Sequence, residues 1–116
     1  MSKNLPYSRS DRISDEIYMM INESLVMRLT DPRLVNVRIT RVRMTKDLRI
    51  AYVYFHINDA TEDLKVKAAA GLDSAKGFLK REIGSALTLK FVPDLKFFFD
   101  ESIELCEKID ALSGGR

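Results

Sequence analysis

This chain of 116 residues has a single cysteine and a single histidine. Cys106 alone excludes an internal disulfide and fits a reducing compartment. With only His56 beside it, no Cys/His cluster of zinc-ligand spacing exists. The phosphate loop of the Walker type, G-x-G-x-x-G and G-x-S-x-G are all missing. No apolar run approaches the ~20 residues that span a bilayer. Met1 to Ser10 has no apolar signal-peptide core, so a cytoplasmic location is expected. Carboxylate pairs such as Asp15/Glu16 and Glu104/Glu107 fall on predicted solvated helix faces. Nothing nominates a positioned acid or base, and the chain is expected not to be an enzyme and to need no cofactor or metal.

What is present is one domain's worth of ordinary globular sequence with a heavily charged surface: 46% hydrophobic and 31% charged residues. The net charge of +2 hides an asymmetry. Residues 1–99 hold 17 Lys/Arg against 12 Asp/Glu. Residues 100–110 hold Asp100, Glu101, Glu104, Glu107 and Asp110 against Lys108 alone. A basic body suggests a polyanionic partner, though a mixed solvated surface explains the same numbers.

Periodicity orders the elements. Ser8 or Ser10 caps a helix whose stripe is Ile13, Ile17, Ile21, Leu25 and Leu29, running to about Arg28 ahead of Pro32. A strand follows in which Val35, Val37 and Ile39 share one parity and Val42 and Met44 the other. One extra residue at Thr40-Arg41 restores a single apolar face, which predicts a β-bulge. Thr45-Lys46-Asp47 turns the chain into a second strand, Leu48 to Ile57, as an antiparallel hairpin. His56 is the last outward residue of that strand. Asp59 and Glu62 stand at capping-box spacing before a second stripe through Leu64, Ala68, Leu72 and Ala75. The stripe continues through Phe78, Leu79, Ile83 and Leu87, but Gly71, Gly77 and Gly84 interrupt it. A kink between two helices is therefore expected at Ser74-Ala75-Lys76-Gly77. Leu87, Leu89, Phe91, Leu95, Phe97 and Phe99 alternate as a third strand, with Pro93 implying an edge or a bulge and Phe98 facing outward. Asp100 or Ser102 opens a last, acidic helix with Ile103, Cys106 and Ile109 inward. The first seven and last four residues are expected to be flexible.

The order α-β-β-α-kink-α-β-α is an α+β architecture of the type II KH-like kind, with helices on one face of a three-stranded sheet. Several stretches then resemble the ribosome-binding factor A family. They are Arg9-Ser10-Asp11-Arg12-Ile13, Leu29-Thr30-Asp31-Pro32-Arg33-Leu34, and Lys46-Asp47-Leu48 to Ala51-Tyr52-Val53-Tyr54. Two stronger runs are Ala75-Lys76-Gly77-Phe78-Leu79-Lys80-Arg81 and Pro93-Asp94-Leu95-Lys96-Phe97-Phe98-Phe99-Asp100. The resemblance implies a bacterial assembly factor that binds the free small (30S) ribosomal subunit and 16S rRNA. It also implies help in late maturation and 5′-end processing, most needed in the cold. No two glycines here stand three apart, so the G-x-x-G clamp of many KH domains is missing, and recognition by shape and phosphate contact is expected.

On that basis the expected RNA-binding residues are Ser74, Ala75, Lys76, Gly77, Lys80 and Arg81 at the kink and its basic flank. Arg9 and Arg12 join them at the start of the first helix. Arg43, Lys46 and Lys90 form a second patch on and near the hairpin, where Arg38 and Arg49 also lie. Tyr52 and Tyr54 occupy the open sheet face, where base stacking is conceivable. A monomer without membrane contact is expected, with ribosomal proteins as further partners. The competing reading is a protein-interaction adaptor that works through its acidic last helix without touching RNA.

Overall fold

The computed structural model describes residues 6–102. In order the elements are α1 (Arg9–Met27), a 3-10 turn (Pro32–Leu34), β1 (Val37–Met44), β2 (Ile50–Ile57), α2 (Glu62–Ala86) and β3 (Asp94–Phe99). The sheet order is β1-β2-β3, with β1 antiparallel and β3 parallel to β2. The α+β architecture is thus the one expected, with one exception in α2.

Ser8 caps α1. Its hydroxyl accepts from the Asp11 N–H at 3.1 Å, and Asp11 returns a bond to the Ser8 N–H at 3.1 Å. Two of the four free donors of the first turn are thereby satisfied. Ile13, Ile17 and Ile21 recur every four residues and are buried in the core. Asn22 does something that its sequence position does not announce. Its amide donates to the Ile39 carbonyl at 3.2 Å and accepts from the Ile39 N–H at 2.9 Å. The free backbone edge of β1 is thus paired by a side chain of α1.

The bulge is where the alternation puts it. Ile39 pairs with Phe55 and Arg41 with Tyr54, leaving Thr40 as the extra residue. Val42 and Met44 thereby rejoin the core face, and Arg38, Arg41 and Arg43 share the opposite, exposed one. Thr40 Oγ1 donates to the Tyr54 carbonyl at 3.3 Å and to Asp100 Oδ2 at 2.5 Å.

Four expectations are corrected. First, the kink at Ser74-Ala75-Lys76-Gly77 is not there: α2 is one continuous helix of 25 residues. Ala68, Leu72, Ala75, Leu79 and Ile83 bury a single unbroken stripe along it, which outweighs the ~1 kcal/mol that each interior glycine costs. Gly71 has its own reason: a Cβ there would come within 3.0 Å of Leu34 Cδ2 and 3.2 Å of Arg33 Cβ. Second, α2 is capped by Thr61, whose hydroxyl accepts from the Leu64 N–H at 3.2 Å. Asp59 turns with φ 55, a conformation that an N-cap does not adopt. Third, the strands start later than the alternation suggests. Val35 lies beyond the 3-10 turn and Leu48 sits in the hairpin turn with φ 63. Pro93 has no N–H, so the β3 ladder opens only with Asp94 N–H donating to the Arg49 carbonyl at 2.8 Å. Fourth, His56 is not an outward strand end: it is 2% exposed, its ring centroid 5.3 Å from that of Phe99.

At the end of β3, Asp100 is buried and accepts from the Ser102 N–H at 3.0 Å, the bond of an N-cap. The expected inward positions of the last helix, Ile103, Cys106 and Ile109, and the rest of its acidic run lie outside the described residues.

Candidate nucleic-acid interface

With the kink gone, the residues grouped around it separate. Ala75 is buried in the core. Ser74 sits beside the 3-10 turn, its Oγ 3.4 Å from Arg33 Nη2, while Arg33 itself is held by Asp31 at 2.6 Å. Gly77 is exposed, and a Cβ there would meet only Arg81 Nη1 at 3.6 Å, an ordinary contact. Lys76 and Lys80 both turn to Asp94 at the start of β3, Nζ to Oδ1 4.0 and 3.6 Å. Arg81 is exposed with no ion-pair partner among the described residues. The cluster is therefore a helix surface with part of its charge already neutralised.

The other expected cations come together better. A groove of about 260 Å³ at one end of the molecule is lined by Arg9, Arg49, Leu89, Lys90 and Phe91, with Asp47 and Leu48 of the hairpin turn. Three separate segments meet there: the first turn of α1, the hairpin tip and the loop before β3. Arg9, Arg49 and Lys90 have no ion-pair partner among the described residues, and the same holds for Arg12, Arg38, Arg43, Lys46 and Lys96. The one carboxylate of the groove is occupied locally. Asp47 accepts from Thr45 Oγ1 at 2.7 Å and from the Arg49 N–H at 3.1 Å, which holds its carboxyl below the usual range. The Arg49 guanidinium lies 4.4 Å from the centroid of Phe91, which is 48% exposed. Phe91 is a residue that the alternation assigned to a strand. Its only sequence signal as a surface group is Pro93 two places on, which keeps it off the ladder.

Neighbouring the tip, the sheet face away from the helices carries a second feature. A depression of about 440 Å³ is lined by Arg43, Met44, Tyr52, Tyr54 and Phe98. Arg43 and Tyr52 are register partners, as are Tyr54 and Phe98. Arg41 stacks over Tyr54 at 4.0 Å and reaches Asp100 Oδ2 with Nε at 3.8 Å. Phe98 is exposed, as its parity anticipates.

Among the described residues, no three His, Cys, Asp or Glu side chains converge. Both ring nitrogens of buried His56 lack a hydrogen-bond partner among them. No helix among the described residues is long and apolar enough to cross a membrane.

The model of the family described as Ribosome-binding factor A matches residues 9–113. The chain belongs to the ribosome-binding factor A family. A member from Geobacter sp. (strain M21) is 44% identical over 104 residues, 90% of this chain and 87% of its own length. The family's fold is also this one. The solution NMR structure of a putative ribosome binding factor A from Thermotoga maritima superposes with a TM-score of 0.70 at 30% identity. It covers 80% of this chain and 88% of that one. A homology model of the Thermus thermophilus factor, fitted into the cryo-EM map of a 30S complex, gives a TM-score of 0.61 at 23% identity. That likeness covers 76% of this chain and 91% of that one, and at such identity it speaks for the fold alone.

Proposed function

We propose that this protein binds the free 30S subunit through 16S rRNA and assists late maturation and 5′-end processing, as a cytoplasmic monomer without a cofactor of its own. Membership in the family, across residues 9–113, is the observation that carries this reading. The description shared by the family model and its 44%-identical Geobacter member, ribosome-binding factor, supports the choice of partner. The groove of Arg9, Arg49 and Lys90 supplies the physics. Cations without carboxylate partners are free to displace counterions from phosphate, which makes binding strong at low salt and steeply salt-dependent. Arg12, Arg43 and Lys46 extend the contact, while Lys76, Lys80 and Arg81 contribute from α2 with Asp94 as a brake. Phe91 holds the Arg49 guanidinium at the groove, 4.4 Å from its ring centroid.

Co-sedimentation of the purified protein with 30S, 50S and 70S particles tests the reading. Retention by 30S alone, lost as salt rises, is expected. Equal retention by all three particles, or by none, overturns it.

A further inference from the structure

We infer that the sheet face bearing Tyr52, Tyr54 and Phe98 is a stacking platform for unpaired RNA bases, distinct from the cationic groove that holds phosphate. The inference rests on the rRNA-binding reading and names what that partner must offer: a short single-stranded stretch with its bases splayed.

Three observations carry it. The rings form one surface: Tyr54 and Phe98 have centroids 5.8 Å apart at 35°, and Tyr52 and Phe98 are 6.1 Å apart at 39°. Adjacent strands hold side chains on one face within reach of each other, so the spacing is fixed by the ladder and not by flexible loops. Next, Phe98 is left 44% exposed in a shallow depression on the face turned away from α1 and α2. An exposed aromatic cluster of this kind marks a contact surface.

Third, the charge around the rings selects the occupant. Arg38, Arg41, Arg43 and Lys96 are all exposed on β1 and β3. Three acids near these strands are engaged elsewhere. Asp100 is buried, bonded to Thr40 and Ser102 and within reach of Arg41. Asp94 faces Lys80, and Asp15 accepts from the Tyr7 hydroxyl. Arg38, Arg43 and Lys96 have no ion-pair partner among the described residues, whereas Arg41 is paired with Asp100 and covers one face of Tyr54. Aromatic faces beside unpaired cations match the two halves of a nucleotide, the base and its phosphate. An apolar protein partner would leave these guanidinium groups desolvated without a counter-charge. Sheet aromatics recognise single-stranded bases by this same division of labour in other folds.

The test has two arms on the full-length chain. In the first, a labelled single-stranded RNA octamer, and the same octamer annealed into a duplex, are titrated with three proteins. These are the wild type, a Tyr52→Phe/Tyr54→Phe variant and a Tyr52→Leu/Tyr54→Leu/Phe98→Leu variant, with circular dichroism verifying the fold. The platform predicts tighter binding of the single strand. The phenylalanine variant should stay within about twofold of wild type, and the leucine variant should lose about tenfold or more. The single exposed change Phe98→Leu, expected to cost about fivefold, covers the case in which the triple variant fails to fold. The chain has four tyrosines and no tryptophan, so quenching of tyrosine fluorescence by the single strand is an independent readout.

The second arm repeats the titration with 30S particles. Wild-type binding to 30S together with an unaltered octamer affinity in the leucine variants overturns the platform and leaves the ribosomal reading standing. Failure of wild type to bind 30S, with octamer binding intact and leucine-sensitive, upholds the platform and overturns the ribosomal reading. An acidic peptide that binds wild type but not the leucine variants, while RNA binding is indifferent to them, assigns the face to a protein and overturns the inference.

Discussion

Lys80 Nζ stands 3.6 Å from Asp94 Oδ1, and Lys76 reaches the same oxygen at 4.0 Å. The pairs are half exposed, so each is worth at most about 1 kcal/mol to the fold. Their larger effect is on what the lysines can offer a partner. Asp94→Asn keeps the backbone bond to Arg49 and frees both cations. Its expected result is a fewfold tighter 30S complex at low salt with a steeper salt dependence, measured by filter binding across a salt series. If α2 faces away from rRNA, the affinity stays where it was.

The continuity of α2 makes opposite predictions for two of its glycines. Gly77→Ala adds a methyl group that makes only an ordinary contact with the exposed Arg81 and removes backbone freedom from the unfolded chain, so it should stabilise the protein by about 0.4–1 kcal/mol. Gly71→Ala places its Cβ 3.0 Å from Leu34 and should destabilise by about 1–3 kcal/mol through overpacking. Urea denaturation measures both. Loss of stability in Gly77→Ala would mean that the helix bends there after all.

Asp100 links three parts of the chain. Burial pushes its carboxyl up, but the hydroxyls of Ser102 and Thr40, the Ser102 N–H and Arg41 together hold it below the ordinary value of 3.8. The folded state therefore binds this proton less readily than the unfolded state. The stabilisation is complete above about pH 4 and is lost as pH falls through the depressed folded value. Asp100→Asn should cost about 1–3 kcal/mol at neutral pH. Its stability curve should approach that of wild type as pH falls below 3.8, where a constant gap would show that the charge is not the source.

Much of this fold is written locally. The isoleucines of α1, the Ser8 cap and the parity flip at Thr40-Arg41 are patterns within a few residues, and each became the expected element. What is missed depends on distant partners. Gly71 suggests a break until Leu34, far away in sequence, is seen packed on it. Thr40 and Asp100 are 60 positions apart, and nothing near either announces their bond. Asn22 and Ile39, the residue on the β1 edge that it pairs, are 17 positions apart. The site follows the same rule. Individual cations are easy to nominate, but their grouping is set by the topology. A parallel β3 carries Lys90 and Phe91 to the hairpin tip, beside the start of α1. The same topology spends the charge of Lys76 and Lys80 on Asp94.

The account stands or falls on the groove where α1, the hairpin tip and the loop before β3 meet. Its most direct test is the salt dependence of 30S binding by the Arg9→Glu/Arg49→Glu/Lys90→Glu variant, compared with wild type and with its fold verified by circular dichroism. Each lost phosphate contact should remove about one unit of log–log slope, so the variant should lose two to three. Its affinity at low salt should drop by far more than tenfold. A folded variant with wild-type affinity and wild-type slope would contradict the account.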